Sequence, residues 1–193
     1  MKKLLATLFA AAALFAAAGC SGQPATMADV LQDSAEPDTP PAYEGTGSIR
    51  TGLYAVGSLS SSASAGEEDG LIQTDVTIVA VTVDEADVIT DCVIDSVQAK
   101  ANFDGQGQIL TDLSAPVLSK NDRGADYGMG AISSIGREWN EQAAAFAAYV
   151  TGKTLDQVAG IAVDEATKPA EADLASSVTI SIGGFQALLE KLR

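Results

Sequence analysis

The chain has 193 residues, with 26 acidic against 11 basic side chains, a formal charge of −15, two cysteines and no histidine. So acidic a balance disfavours nucleic acid as a partner, because neutralising phosphates needs a basic patch. The missing imidazole excludes a Ser-His-Asp triad, a His-ligated zinc and a His-held haem, and neither a P-loop nor a GxGxxG stretch occurs. Carboxylates, hydroxyls, amides and a few aromatics remain to carry function.

At the N-terminus Lys2 and Lys3 precede an uncharged run of Leu, Ala and Phe from Leu4 to Ala18. The run is too short and Ala-rich for a stable membrane span, and it closes on small residues as an export signal does. Its end, "AAAGC", resembles the lipobox of bacterial lipoproteins, although Ala17 stands where leucine is commoner. The resemblance implies that residues 1–19 are a lipoprotein signal peptide and that Cys20 carries a diacylglycerol. An ordinary secretory signal followed by a cysteine is the alternative. Cleavage removes two lysines and no acid, taking the formal charge from −15 to −17. Acyl chains rather than charge would then hold the protein at the extracytoplasmic face of the cell membrane. Residues 20–46 carry Pro24, Pro37, Pro40 and Pro41 among polar residues, a composition that predicts a disordered tether.

A domain-sized body spans residues 47–193. "SIRTGLYAVGSLS" supplies a first strand with Ile49, Leu53 and Val56 available for packing, and "SSSASAGEEDG" is a polar loop. "TDVTIVAVTV" alternates Thr77, Val79, Val81 and Val83 with Val76, Ile78 and Ala80, so both faces are expected to be covered. "DEAD" turns the chain into "VITDCVIDSV" as the hairpin partner. With Cys20 acylated, Cys92 in that strand has no partner, which excludes a disulfide framework and reads as a buried, inert thiol. A second hairpin is expected around "DGQGQ". A calcium loop at Asp104 is the sharper alternative, but alternating oxygen ligands are missing. Ile132, Ile135, Trp139, Ala143, Phe146 and Val150 recur at spacings of three and four, predicting one amphipathic helix. Gly152 stops that helix, and Thr154 caps the short helix "LDQVAG". "IAV" reads as a short strand, "DEATKPAEA" as a polar loop and "GGFQALLEKLR" as a last helix. Strands followed by helices argue an α+β fold, a small antiparallel sheet packed with two or three helices.

The segment before the last helix, "DLASSVTISIGGF" (residues 173–185), resembles the end of the FMN-binding domain of electron-transfer lipoproteins and of subunits of membrane NADH-oxidising, ion-pumping complexes. That family's signature looks like D-x-x-S/T-G-A-T/S, followed by a further hydroxyl and a helix. Asp173, Ser176 and Thr179 fall in register with it, while Ser177 and Val178 stand where the family has Gly-Ala. Upstream, "FAAYVTGK" is similar to the family's F-x-x-x-x-x-G-K, through Phe146, Gly152 and Lys153, and the hairpin from Thr74 to Asp95 is similar to its opening strands. The resemblance spans residues 47–193 and implies an FMN-binding-domain-like fold. It also implies a flavin transferase that esterifies the FMN phosphate to Thr179, and electron transfer to a redox partner. It further implies that Ser176, Ser177 and the start of the last helix offer donors to the phosphate, with Gly183 and Gly184 permitting close approach. Tyr127 or Trp139 would wall the ring.

A second reading stands beside it. Ser176 and Thr179 bond local backbone at a turn, Trp139 is a core residue, and the protein is a ligand- or partner-binding lipoprotein on the same scaffold without flavin. A third, that "ALFAAAG" is a signal-derived pheromone peptide, rests on features most lipoprotein signals share. Intrinsic hydrolase or transferase chemistry has no support in these residues.

Overall fold

The computed structural model describes residues 47–193. The expected signal segment (1–19), the expected acylation site Cys20 and the expected tether (20–46) lie outside the described residues. Three strands form one antiparallel sheet in the order β1-β2-β3: β1 Arg50–Ser58, β2 Gly70–Val83 and β3 Ile89–Phe103. Five α-helical segments follow: α1 Lys120–Arg123, α2 Trp139–Val150, α3 Leu155–Ala159, α4 Ala172–Ala175 and α5 Gly183–Leu189. The architecture is α+β. Among the described residues, no helix is long and apolar enough to cross a membrane.

The register puts Tyr54 opposite Val79 and Val79 opposite Ile94. One face therefore carries Val79, Val81, Val83, Cys92 and Ile94, all buried. Helix α2 lies across β3, and α5 lies over β2 and β1. They close the core with Phe146, Val150, Phe185 and Leu188, each at most 4% exposed. Because the helices cover this face only, the expectation that both faces of β2 are buried is corrected: the opposite face, with Leu53 and Val93, stays open among the described residues.

β1 also packs the other way round from the expected one. Leu53 is 73% exposed, and Ile49 and Val56 are exposed as well. Tyr54 turns inward instead and packs on the core. Its ring lies over Gly52, where a Cβ would come within 2.4 Å of it. A glycine two residues before an aromatic leaves room for a ring that a bulkier residue would displace.

Three turns share one construction. Asp84, Asp104 and Asp164 each accept, through Oδ1, the N–H groups two and four residues on. In each, the fourth residue adopts positive φ: Asp87 at 59°, Gly107 at 82° and Thr167 at 57°. These are tight turns closed by a left-handed residue, and the first joins β2 to β3 as expected. The second returns the chain only as far as a single bridge between Phe103 and Ile109, so a full second hairpin is absent among the described residues. Asp104 is spent on its own turn. "IAV" likewise makes one bridge, Val163 with Pro169.

The main helix begins later than its apolar spacing predicts. Gly128 and Gly136 take positive φ (79° and 64°), holding residues 128–138 in turns and leaving Ile132 85% exposed. Glu138 sets the start of α2. Its N–H donates to the Glu141 carboxylate at 2.7 Å, and its own carboxylate accepts from the Met129 and Gly130 N–H groups, both at 2.8 Å. At the far end Gly152 (φ 84°) stops the helix, and Thr154 caps α3 with a reciprocal Gln157 contact.

Candidate functional site

On the inner sheet face the valines give way to polar residues. Beyond Val79 and Ile94, β2 and β3 carry Thr77 and Asp75, both half-buried, and Ser96, which is buried. The result is a cleft of about 650 Å³ with that polar floor, within the usual size range of small-molecule sites. Trp139 and Phe185, core residues only 5% and 4% exposed, edge it on the apolar side, with Met129, Ile132, Ser133 and Ser134 on one rim and Thr179 to Ser181 with Gly184 on the other. Lys120 and Lys168 bring positive charge to it.

Gln142 organises the site. It lies on the buried stripe of α2, one turn after Trp139, and is fully buried. Its Oε1 accepts from the Thr179 N–H at 2.8 Å and from the Thr179 hydroxyl at 3.1 Å. Its Nε2 donates to the Arg137 carbonyl at 3.0 Å and to Ser133 Oγ at 3.3 Å. One satisfied amide thus ties both rims of the cleft to the helix, which is how a buried polar side chain fixes a unique arrangement. The Thr179 oxygen retains free lone pairs, but an amide oxygen is too weak a base to activate it. Thr179 and Gln142 therefore supply no nucleophile–base pair.

The cationic side is equally built. Lys120 Nζ sits 4.9 Å from the ring centroids of both Trp139 and Tyr127, a cation–π geometry that fixes the ammonium at the cleft wall. Trp139 meets Phe185 edge-on, with centroids 6.1 Å apart at 83°. Asp75 accepts from Gln73 and Gln98 amides, both at 2.7 Å. Burial pulls its carboxyl upward, but those two amides, with Lys120 and Lys100, outweigh it and hold the carboxyl below the ordinary range.

The sequence-derived site residues divide. Thr179 and Gly184 line the cleft, as does Trp139. Asp173, Ser176 and Ser177 lie outside its lining. The Ser176 and Ser177 hydroxyls donate to the carbonyls of Asp173 (2.6 Å) and Leu174 (3.2 Å), and their N–H groups donate to Ala172 and Leu174. Val178 is fully buried in the core. Ser177 is not among the described residues with positive φ, so its position does not demand the glycine found in the family signature. Gly183 leaves room for Thr167, whose Cβ would lie 2.9 Å from an added side chain, whereas Gly184 faces open space. Tyr127 does not line the cleft; it packs on the core and lies under the Lys120 ammonium and the Arg123 guanidinium. Cys92 is buried and free, its thiol pushed up to about 12 by burial and by the Asp91 charge.

Gln142, Lys120, Lys168 and Asp75 were not legible as site residues. Only Gln142 left a signal, a polar residue on an otherwise apolar helix stripe. Fold and cleft together define a small α+β domain with a polar-floored, partly cationic cleft against one sheet face. No protein-family model, no curated protein and no solved structure matches the chain.

Proposed function

We propose that this chain is an extracytoplasmic lipoprotein, anchored through Cys20, whose α+β body is an FMN-binding-domain-like electron carrier. The observation that carries the reading is the position of Thr179: the threonine in register with the family signature is also a cleft-lining hydroxyl, tied to Gln142 at 3.1 Å. The Trp139 and Phe185 wall supports an aromatic ring system, and Lys120 and Lys168 suit the negative charge of a phosphodiester.

Attachment needs a transferase and an FMN phosphoanhydride as donor. Were FMN attached, the Thr179 oxygen would hold its phosphate as an ester, and the donor anhydride would give up its other phosphate as the leaving group. The hydroxyl proton goes to a base of the transferase, because Gln142 is not one. When bound, flavin supplies the redox chemistry, and the chain positions it. The membrane assignment rests on the "AAAGC" end of the signal segment.

The test is intact mass and in-gel flavin fluorescence of protein co-expressed with a flavin transferase, beside Thr179→Val. A gain of one esterified FMN in the parent alone supports the carrier. No gain, while a control member of the family is labelled in the same cells, overturns covalent attachment and favours the flavin-free binding reading.

A further inference from the structure

We propose that β1 is a dimer interface, pairing antiparallel with β1 of a second copy to join two sheets into one of six strands. The two edges of the sheet are treated differently. The β3 edge is covered: Ser119 bridges Val97, Asn121 Nδ2 donates to the Ile94 carbonyl, and residues 152–154 bond Ile89 and bridge Val88. The β1 edge has no such cover among the described residues, where β1 meets β2 along one side and α5 with the 3-10 turn Glu190–Leu192 over its inner face.

Nothing in β1 guards that edge. Its register with β2 runs from Arg50 to Ser58 without a bulge, and its sequence RTGLYAVGS has no proline and no charge beyond Arg50. Natural edge strands are commonly blunted by such devices, and an unguarded one is a template for strand addition.

The occupant is a second copy because of where the charge lies. In a chain with 26 acidic residues, residues 45–66 contain none and carry only Arg50. In two molecules of net charge −17 after signal cleavage, this strand brings no acidic side chain of its own into the contact, and Arg50 at its start is paired with Asp87. A twofold axis through Tyr54 sets Leu53 of each copy opposite Ala55 of the other on the open face. Both side chains are exposed in the single copy, so pairing covers apolar surface without moving the core. Strand-edge contacts are small by interface standards, and the association belongs in the micromolar range.

The experiment is sedimentation equilibrium of the purified full-length protein in density-matched detergent. The parent is compared with Leu53→Glu/Ala55→Glu, which sets like charges opposite one another across the axis. The parent should show the dimer mass at tens of micromolar, and the variant a dissociation constant at least tenfold weaker with an unchanged melting curve. Leu53→Cys/Ala55→Cys gives an independent reading. Directly opposed residues of antiparallel strands lie about 4.5–5.5 Å apart, within disulfide reach, so oxidation should yield a covalent dimer. A parent that stays monomeric at about 100 μM (weaker than roughly 5 kcal/mol of association) overturns the proposal. So does a dimer that neither substitution touches, or an edge covered by residues 20–46 of the same chain.

Discussion

Replacing Gln142 with leucine keeps the side-chain volume close while removing the hydrogen bonds by which its buried amide ties Thr179, Arg137 and Ser133 to α2. Gln142 is fully buried and accepts from the Thr179 N–H at 2.8 Å, while its amide donates to the Arg137 carbonyl at 3.0 Å. Leucine leaves both backbone groups without that partner. A buried polar group left unpaired costs about 1–3 kcal/mol, and because Thr179 is half-buried and water reaches part of the cleft, the two together should cost about 2–4 kcal/mol. Thr179→Val removes only the 3.1 Å hydroxyl bond and should cost about 0.5–1.5 kcal/mol, the ordinary net value of one such bond. Urea unfolding separates the two. With a slope of about 2 kcal/mol per molar, Gln142→Leu should lower the midpoint by roughly 1–2 M with the slope unchanged. A loss below about 1 kcal/mol, or a Thr179→Val cost as large as that of Gln142→Leu, would refute the view that Gln142 is the organising residue.

Three further outcomes follow from the geometry. Thr167, a β-branched residue at φ 57°, should gain stability on change to glycine. Relief of the left-handed penalty, about 1–2 kcal/mol, exceeds the exposed hydroxyl contact to Ser181, worth about 0.5–1 kcal/mol; a lower melting temperature would contradict this. Cys92, buried with its thiol pushed up to about 12, should resist iodoacetamide at pH 8 in the folded protein and react on addition of denaturant, so equal rates in both states would show an accessible thiolate. Asp75 has a carboxyl held below its ordinary value, so its stabilising contribution is present above the unfolded pKa and is lost as pH falls through the folded one. The stability gap between the parent and Asp75→Asn should therefore be widest near neutrality and close in acid, and a gap that widens in acid would reverse the assigned sign.

The sequence by itself determined the elements whose signals are local. Alternation from Thr77 to Val83 with Asp84 at the turn specifies the β2–β3 hairpin, because side-chain period and turn chemistry act within a few residues. Thr154 and Gly152 bound their helices for the same reason. Tertiary structure decided what depends on a partner distant in sequence. Whether Leu53 or Tyr54 faces inward turns on Gly52 and on α5, more than a hundred residues away. That Ile132 leaves the helix stripe turns on glycines at positive φ and on Glu138, which binds backbone eight and nine residues earlier. The cleft belongs to this second class. Asp75, Lys120, Gln142, Lys168 and Thr179 come from five different segments, and only the fold of the helices across the sheet brings them to one place. Sequence marked Thr179 through its register with a signature; packing alone supplied the amide that holds it.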